Sequence, residues 1–250
     1  VGGGDVTLVA TARSGSGYRV GALRLDPLVA IAAGTGNARV ELDAAAGEAW
    51  GTRYHPTPAT PLSLENAVDA IAGAGAEIAL VQSATSTGGA TSVLDVAKSA
   101  ALLDLEANAR GGDAHISLSG SNDAGDVRLG GEAVAGRSGA PSDASAVFDA
   151  ETRGDGHDIE IGSPSRSTGA RGSESTEGRG GDANVEARAN ALGNGAVTID
   201  VVAEGGGADW SEPGGYGGNA WTSARGQSAG TQSVTVAATA RGGGGGYDWS

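Results

Sequence analysis

The last third of this chain repeats itself, and that repeat constrains the fold more than any other feature. When residues 180–250 are displaced by 37 positions, Ala183 falls on Ala220, Ala187-Arg188 on Ala224-Arg225, Gly193 on Gly230 and Val197-Thr198 on Val234-Thr235. Asp209-Trp210-Ser211 falls on Asp248-Trp249-Ser250 once two extra glycines are allowed in the second copy. Self-similarity of this size marks a repeat architecture, in which stacked supersecondary units share one continuous core.

A looser form of the same unit runs through the rest of the chain. An Asp or Asn follows glycines, small apolar residues alternate, a glycine turn intervenes, and a β-branched strand follows. Ile116/Leu118, Val127/Leu129, Ile159/Ile161, Val197/Ile199 and Val234/Val236 fill one role. Strict alternation of this kind has the period of a strand. The large residues lead each strand and alanines finish it, a taper suited to two sheets that approach closely. These features predict an all-β chain, a β-solenoid (parallel β-helix) with glycine corners. Stacked strands about 4.8 Å apart would give roughly seven to ten coils and a rod of about 35–50 Å. A β-sandwich of jelly-roll type is the competing arrangement, because hairpins of alternating strands have similar patterns.

Composition fits a thin core. The 250 residues include 46 glycines, one phenylalanine (Phe148), no methionine and no cysteine. Alanine supplies most of the apolar content, and an alanine methyl gains little next to the ~1.5–3 kcal/mol of a buried Leu or Phe.

Three parts are expected: solenoid coils over 1–49, an insertion over 50–75, and coils over 76–250 with the clearest repeat at 180–250. The insertion begins with Pro56, Pro58 and Pro61, which cannot donate to a sheet ladder and imply an extended loop. Ser63 then stands where it would cap a short helix over LENAVDAIAG, ended by Gly73 and Gly75. Residues 93–101 fit either period, and Leu102–Ala109 alternates as a strand.

No catalytic constellation stands out. His55, His115 and His157 are far apart, and no GxSxG elbow, HExxH pair or full P-loop occurs. Gly34-Thr-Gly36 and Gly73-Ala-Gly75 read as turn glycines rather than a dinucleotide fingerprint. The chain is therefore read as non-enzymatic, with no catalytic and no cofactor residues. Calcium is the one cation worth weighing, because Asn122-Asp123 with Asp126, and Asp155 with Asp158, concentrate oxygen atoms. Neither matches a known calcium loop, and no metal ligand is assigned. Trp210, Tyr216, Trp221, Tyr247 and Trp249 gather in the glycine-rich C-terminal region and are candidates for contact with sugars or with another subunit.

A formal charge of −14 repels phosphate backbones and excludes nucleic acid as a partner. No apolar run approaches the ~20 residues of a transmembrane helix. Val1 already sits in a strand-like context, as expected of a mature or excised piece of a longer protein.

The segment GGDVTLVATARSGSG, with VGALRLDPLVAIAAG and NARVEL after it, resembles the repeats of large secreted bacterial exoproteins, the filamentous-haemagglutinin-like and leukotoxin-like filamentous adhesins. The likeness covers the first 50 residues best and the GGDA repeats more loosely. It departs at Trp50–Gly75 and in the Gly-Tyr-Asp-Trp segments. It implies a right-handed parallel β-helix, export, and an adhesive or structural role outside the cell or on its surface, and it brings no catalytic residues. Two functions follow as expectations. One is a filament-forming structural or adhesive solenoid that associates end to end. The other is a carbohydrate-binding or carbohydrate-active β-helix, such as a lyase or depolymerase.

Overall fold

The computed structural model describes residues 3–16, 23, 25–32, 34–47, 60–73, 75–136, 141–162, 168–174, 178–208 and 215–246. Every element among them is a strand, and all the strands pair in parallel. The chain winds as a flattened β-solenoid. From the second coil to the seventh, each coil gives a strand to a first sheet, turns, and gives a strand that runs back to a second sheet; a separate two-stranded sheet links the first and second coils. The first coil holds β1 (Val6–Arg13) and β2 (Leu28–Ile31), and the second β3 (Ala38–Ala45), β4 (Leu62–Glu65) and β5 (Val68–Ile71). The third holds β6 (Glu77–Ser86) and β7 (Ala90–Lys98), and the fourth β8 (Leu102–Gly111) and β9 (Ala114–Asn122). β10 (Asp126–Ala135) and β11 (Ala144–Thr152) make the fifth. The sixth has β12 (Ile159–Ile161), β13 (Thr168–Arg171) and β14 (Ala183–Ala191). β15 (Val197–Glu204) and β16 (Ala220–Ser228) make the seventh, and β17 (Val234–Arg241) opens the eighth.

The repeat in the sequence is one turn of this coil. β14 stacks on β16 with Ala183 opposite Ala220, and β15 on β17 with Val197 opposite Val234. Coil length is not constant. Asn108 and Glu132, bonded across neighbouring coils, are 24 residues apart, whereas Asn37 and Glu77 are 40 apart. Most of the variation sits at one corner; a further insertion, 162–167, separates β12 from β13 where β10 has Gly130 alone. Connections entering a first-sheet strand are short throughout: 32–37, 72–76, 99–101, 123–125, 153–158, 192–196 and 229–233. Connections leaving one include 14–27, 46–61, 136–143, 172–182 and 205–219. The solenoid therefore has a smooth edge and a loop edge.

Parallel stacking turns the alternating pattern into columns of like residues along the axis. One column of the first sheet is Val6, Ala38, Ile78, Leu103, Val127, Ile159, Val197 and Val234. The next is Leu8, Val40, Leu80, Leu105, Leu129, Ile161, Ile199 and Val236. Alanines form the column at the far end of the strands, among them Ala44, Ala84, Ala109, Ala133 and Ala170, all buried. The facing strands run the opposite way, so the wide end of one sheet meets the narrow end of the other. A Cβ on Gly120 would lie 3.0 Å from Leu129 and 3.1 Å from Val127, and one on Gly226 2.9 Å from Val234. Phe148 is fully buried, stacked between Leu118 below and Ala187 above. At Gly131 the strand bends with φ 144°, and a Cβ there would overlap the Ala107 carbonyl at 1.9 Å.

The helix expected over 64–73, capped by Ser63, does not form. The segment is two short strands, β4 on β7 and β5 on β2, joined by Asn66 at φ 47°. Leu64, Ala67, Val68 and Ile71 have helical spacing, but about two turns of helix are marginal alone, whereas β7 and β2 each offer one of the two strands a ladder of backbone partners. The break between β4 and β5 is mended from inside. Gln82, fully buried on β6, accepts from Ala67 N–H at 2.9 Å and donates to the Leu64 carbonyl at 3.1 Å and to Ser92 Oγ at 3.0 Å. Asn66 Oδ1 accepts the Asp95 N–H at 2.7 Å. The expected proline loop at Pro56 and Pro58 falls outside the described residues.

On the outer face of the first sheet, charges alternate up the axis. Arg110 and Arg171 flank Glu132 at 3.9 and 3.6 Å, and Arg171 and Arg241 flank Glu204 at 3.2 and 2.9 Å. Exposed pairs contribute little singly, up to about 1 kcal/mol each.

Replacing Gln82 by Leu keeps the volume and strands the Ala67 N–H, the Leu64 carbonyl and the Ser92 hydroxyl in the core. We expect a loss of about 2–3 kcal/mol in denaturant unfolding. An unchanged midpoint would show that the side-chain amide is not what holds the break together.

Candidate functional site

The corner aspartates of the GGD formula bond along the axis. Asp113 Oδ1 accepts the Asp143 N–H at 3.0 Å, Asp143 the Asp182 N–H at 2.8 Å, and Asp182 the Asn219 N–H at 2.7 Å. The smooth edge has its own rows. In one, Asp126 takes the Asp158 N–H at 2.8 Å and Asp158 the Ala196 N–H at 2.7 Å. In another, Asp155 takes the Asn194 N–H at 3.1 Å, and Asn194 the Thr231 N–H at 2.7 Å. Every link runs from an acceptor to the backbone of the following coil, where sheet pairing has stopped and the N–H would otherwise lack a partner.

These bonds engage one oxygen of each of three carboxylates considered for calcium. Asp126, Asp155 and Asp158 each spend Oδ1 on the next coil. Asn122 is fully buried and closes its own corner through Ala100 N–H and C=O and the Asp126 carbonyl. Among the described residues no three acidic or histidine side chains converge as a metal site would require.

Beside the loop-edge row lies a groove of about 440 Å³ on the outer face of the second sheet. Its floor is one column, Thr91, His115, Ser145, Asn184 and Trp221, stacked in register from β7 to β16. The carboxylates of Asp113, Asp143 and Asp182 form its wall. His115 Nδ1 lies 2.8 Å from Ser145 Oγ, and burial pushes the imidazole below its ordinary value of 6.5, so the ring is neutral at pH 7. Trp221 is 53% exposed at the end of the column. The groove thus offers an aromatic face, an amide, a hydroxyl, a neutral imidazole and a row of acceptors.

Of the five aromatic candidates, Trp210, Tyr247 and Trp249 lie outside the described residues. Trp221 is in the groove. Tyr216, 75% exposed, is held by a backbone bridge to Arg179 and does not line it. The sequence grouping by the C-terminal repeat missed a simpler rule. Tyr18, Trp50, Tyr54, Trp210, Tyr216, Tyr247 and Trp249 all follow a first-sheet strand in sequence, and Trp221 comes two residues after the 205–219 connection. The signal was available as the phase of each aromatic relative to the strand before it.

The two ends form a second feature. Val234 and Val236 extend columns whose inner members, Val197 and Ile199, are fully buried, yet each is 43% exposed. β17 pairs with β15 on one edge, and no described strand pairs with the other.

Asp182→Ala removes one link of the loop-edge row. We expect a modest loss of stability, about 1 kcal/mol, and faster hydrogen exchange at the Asn219 amide with core amides unaffected. Exchange at Asn219 unchanged from the parent would mean the carboxylate does not protect that corner.

No protein-family model, curated protein or solved structure matches the chain, so the columns and the groove carry the functional argument.

Proposed function

We propose that this is a non-enzymatic structural or adhesive protein, extracellular or on the cell surface, whose solenoid associates end to end into a filament or part of one. The observation that carries this reading is the parallel ladder of the first sheet, whose columns of like residues run from β1 to β17. A ladder of this kind is a template for further strands. The extracellular placement rests on the resemblance of the first 50 residues to exoprotein repeats. Electron microscopy of the purified chain should show filaments at raised concentration. Dispersed monomers at every concentration and salt would overturn the reading.

A second reading concerns the loop edge and favours carbohydrate as a ligand. In repeat proteins the insertions gather on one face, which is often the binding face. Here that face holds the Trp221 groove, and the connections that make it carry Tyr18, Trp50, Tyr54, Trp210 and Tyr216 in their sequence. A tryptophan face beside amide, hydroxyl and carboxylate groups suits a sugar ring, whose apolar side stacks while its hydroxyls bond. The carboxylates along the groove are engaged with the backbone, which supports binding without cleavage. On an array of neutral and acidic oligosaccharides, Trp221→Ala should reduce binding about tenfold or more (~1.4 kcal/mol), with no depolymerisation by the parent chain. Equal binding by parent and variant would remove the groove from the argument, and release of sugar products would favour a lyase or depolymerase.

A further inference from the structure

We propose that the ligand of the outer face is a glycan with an isolated carboxylate among neutral sugars, laid along β14 and β16 and held at its carboxylate by Arg188 and Arg225. This rests on the carbohydrate reading above and names the class of sugar and its track.

A second depression, of about 530 Å³, lies on the outer face of the second sheet, farther along the same strands than the Trp221 groove. Two columns in register make its floor. One is Asp149, Arg188 and Arg225, and the other is Glu151, Asn190 and Gln227. Trp221 and Arg225 stand on one strand four residues apart, both on the exposed face. At about 3.3 Å per residue they are about 13 Å apart. Asn184 and Arg188 repeat that spacing on β14. The two depressions therefore lie on one track parallel to the strands, about 20 Å from Trp221 to Gln227.

Arg188 stacks on Arg225, like on like. Like charges directly opposite one another in a ladder are unfavourable. Charged steps on the first sheet join opposite signs instead: Asp104 with Arg128, Arg128 with Glu160, and Glu204 with Arg241. The last of these is the same step of the same repeat, so the repeat changes sign on one sheet and keeps arginine at both levels on the other. Glu186, on the strand of Arg188, accepts a bond from its guanidinium. Asn190 and Gln227 add amide groups beside the pair. Two guanidinium groups one coil apart, with amides alongside, make a donor-rich patch that an anion would stabilise. The planar fork of arginine matches a carboxylate.

The surrounding charge decides how much anion the track accepts. Asp149 and Glu151 stand on β11, one coil from Arg188 and two from Arg225. The β16 side of the depression is thus the side that takes the anion. Asp113, Asp143 and Asp182 wall the groove at the other end of the track. The arginines lie some 13 Å along the strand from the Trp221 column, farther than the Debye length of about 8 Å at physiological ionic strength. Those wall carboxylates therefore do not cancel the arginines. A polyanion with a charge on every sugar would meet the wall along its length, in a chain whose net charge is already −14. One carboxylate on the arginines, with neutral sugars reaching back to Trp221, meets only matching groups.

The test uses the full 250-residue chain and two tetrasaccharides. One carries a single glucuronate among neutral hexoses, and the other is the same sugar with its carboxyl reduced to the alcohol. In calorimetry the parent should bind the acidic form about tenfold more tightly, and the preference should shrink as salt rises. Arg225→Gln should lower the preference, and Arg188→Gln combined with Arg225→Gln should abolish it. Neither change should alter binding of the reduced sugar or the unfolding midpoint, whereas Trp221→Ala should weaken both sugars alike. Equal binding of the two sugars by the parent, or a preference that survives the double substitution, would overturn the carboxylate assignment and leave the Trp221 groove as a glycan site. Tighter binding of an oligogalacturonate or a sulfated oligosaccharide than of the mixed sugar would overturn the isolated carboxylate. If the parent binds neither tetrasaccharide, the carbohydrate reading fails and this proposal fails with it.

Discussion

A residue inside this solenoid is held by neighbours of nearly its own kind, one coil below and one coil above. The parallel ladder fixes that relation, and the rest of the structure depends on it. It converts alternation along the chain into columns along the axis, so a core built mainly of alanine and β-branched residues can be continuous without being thick. It also makes the two sheets complementary. The wide aliphatic start of each first-sheet strand lies opposite a column that contains Gly120 and Gly226, and the only large departure, Phe148, is followed one coil on by Ala187.

Hydrogen bonding extends the same relation beyond the strands. Where sheet pairing ends at a corner, an Asp or Asn side chain takes over and accepts the backbone N–H of the coil that follows. Outside, Arg110, Glu132, Arg171, Glu204 and Arg241 alternate in sign from coil to coil. No single exposed pair counts for much. Their alternation along the axis still penalises any register that would bring like charges together.

Much of this was legible in the chain itself. The shift that carries Ala183 onto Ala220 is one coil, and the Val-x-Val and Ile-x-Ile pairs named from alternation are consecutive members of two columns. The misreading lay at residues 64–73, where Leu64, Ala67, Val68 and Ile71 have helical spacing, while the strands bury Leu62 and Leu64, then Val68 and Ala70, with the phase reset at Asn66 and Ile71 turned outward. Gln82, whose buried amide permits the strand break, sits far enough away in sequence that no local pattern reports it. Corner aspartates were recognisable as turn residues but not as axial acceptors, because unequal coil lengths hide their alignment. Asp113 and Asp143 are 30 residues apart, and Asp143 and Asp182 are 39. For the aromatics, the useful coordinate was position within a coil, which can be assigned only after the strands are.

The concentration of length variation on one edge has a consequence for how such a protein can change. Residues added between β10 and β11, or between β15 and β16, lengthen a coil without moving any member of a column, since both ends of the connection are pinned by the ladder and by the corner carboxylates. The same addition on the opposite edge would have to pass through connections as short as 99–101 and 123–125. Insertions, deletions and new surface chemistry can therefore accumulate on one side while the scaffold stays the same. One margin of the molecule is open to diversification and the other is closed to it.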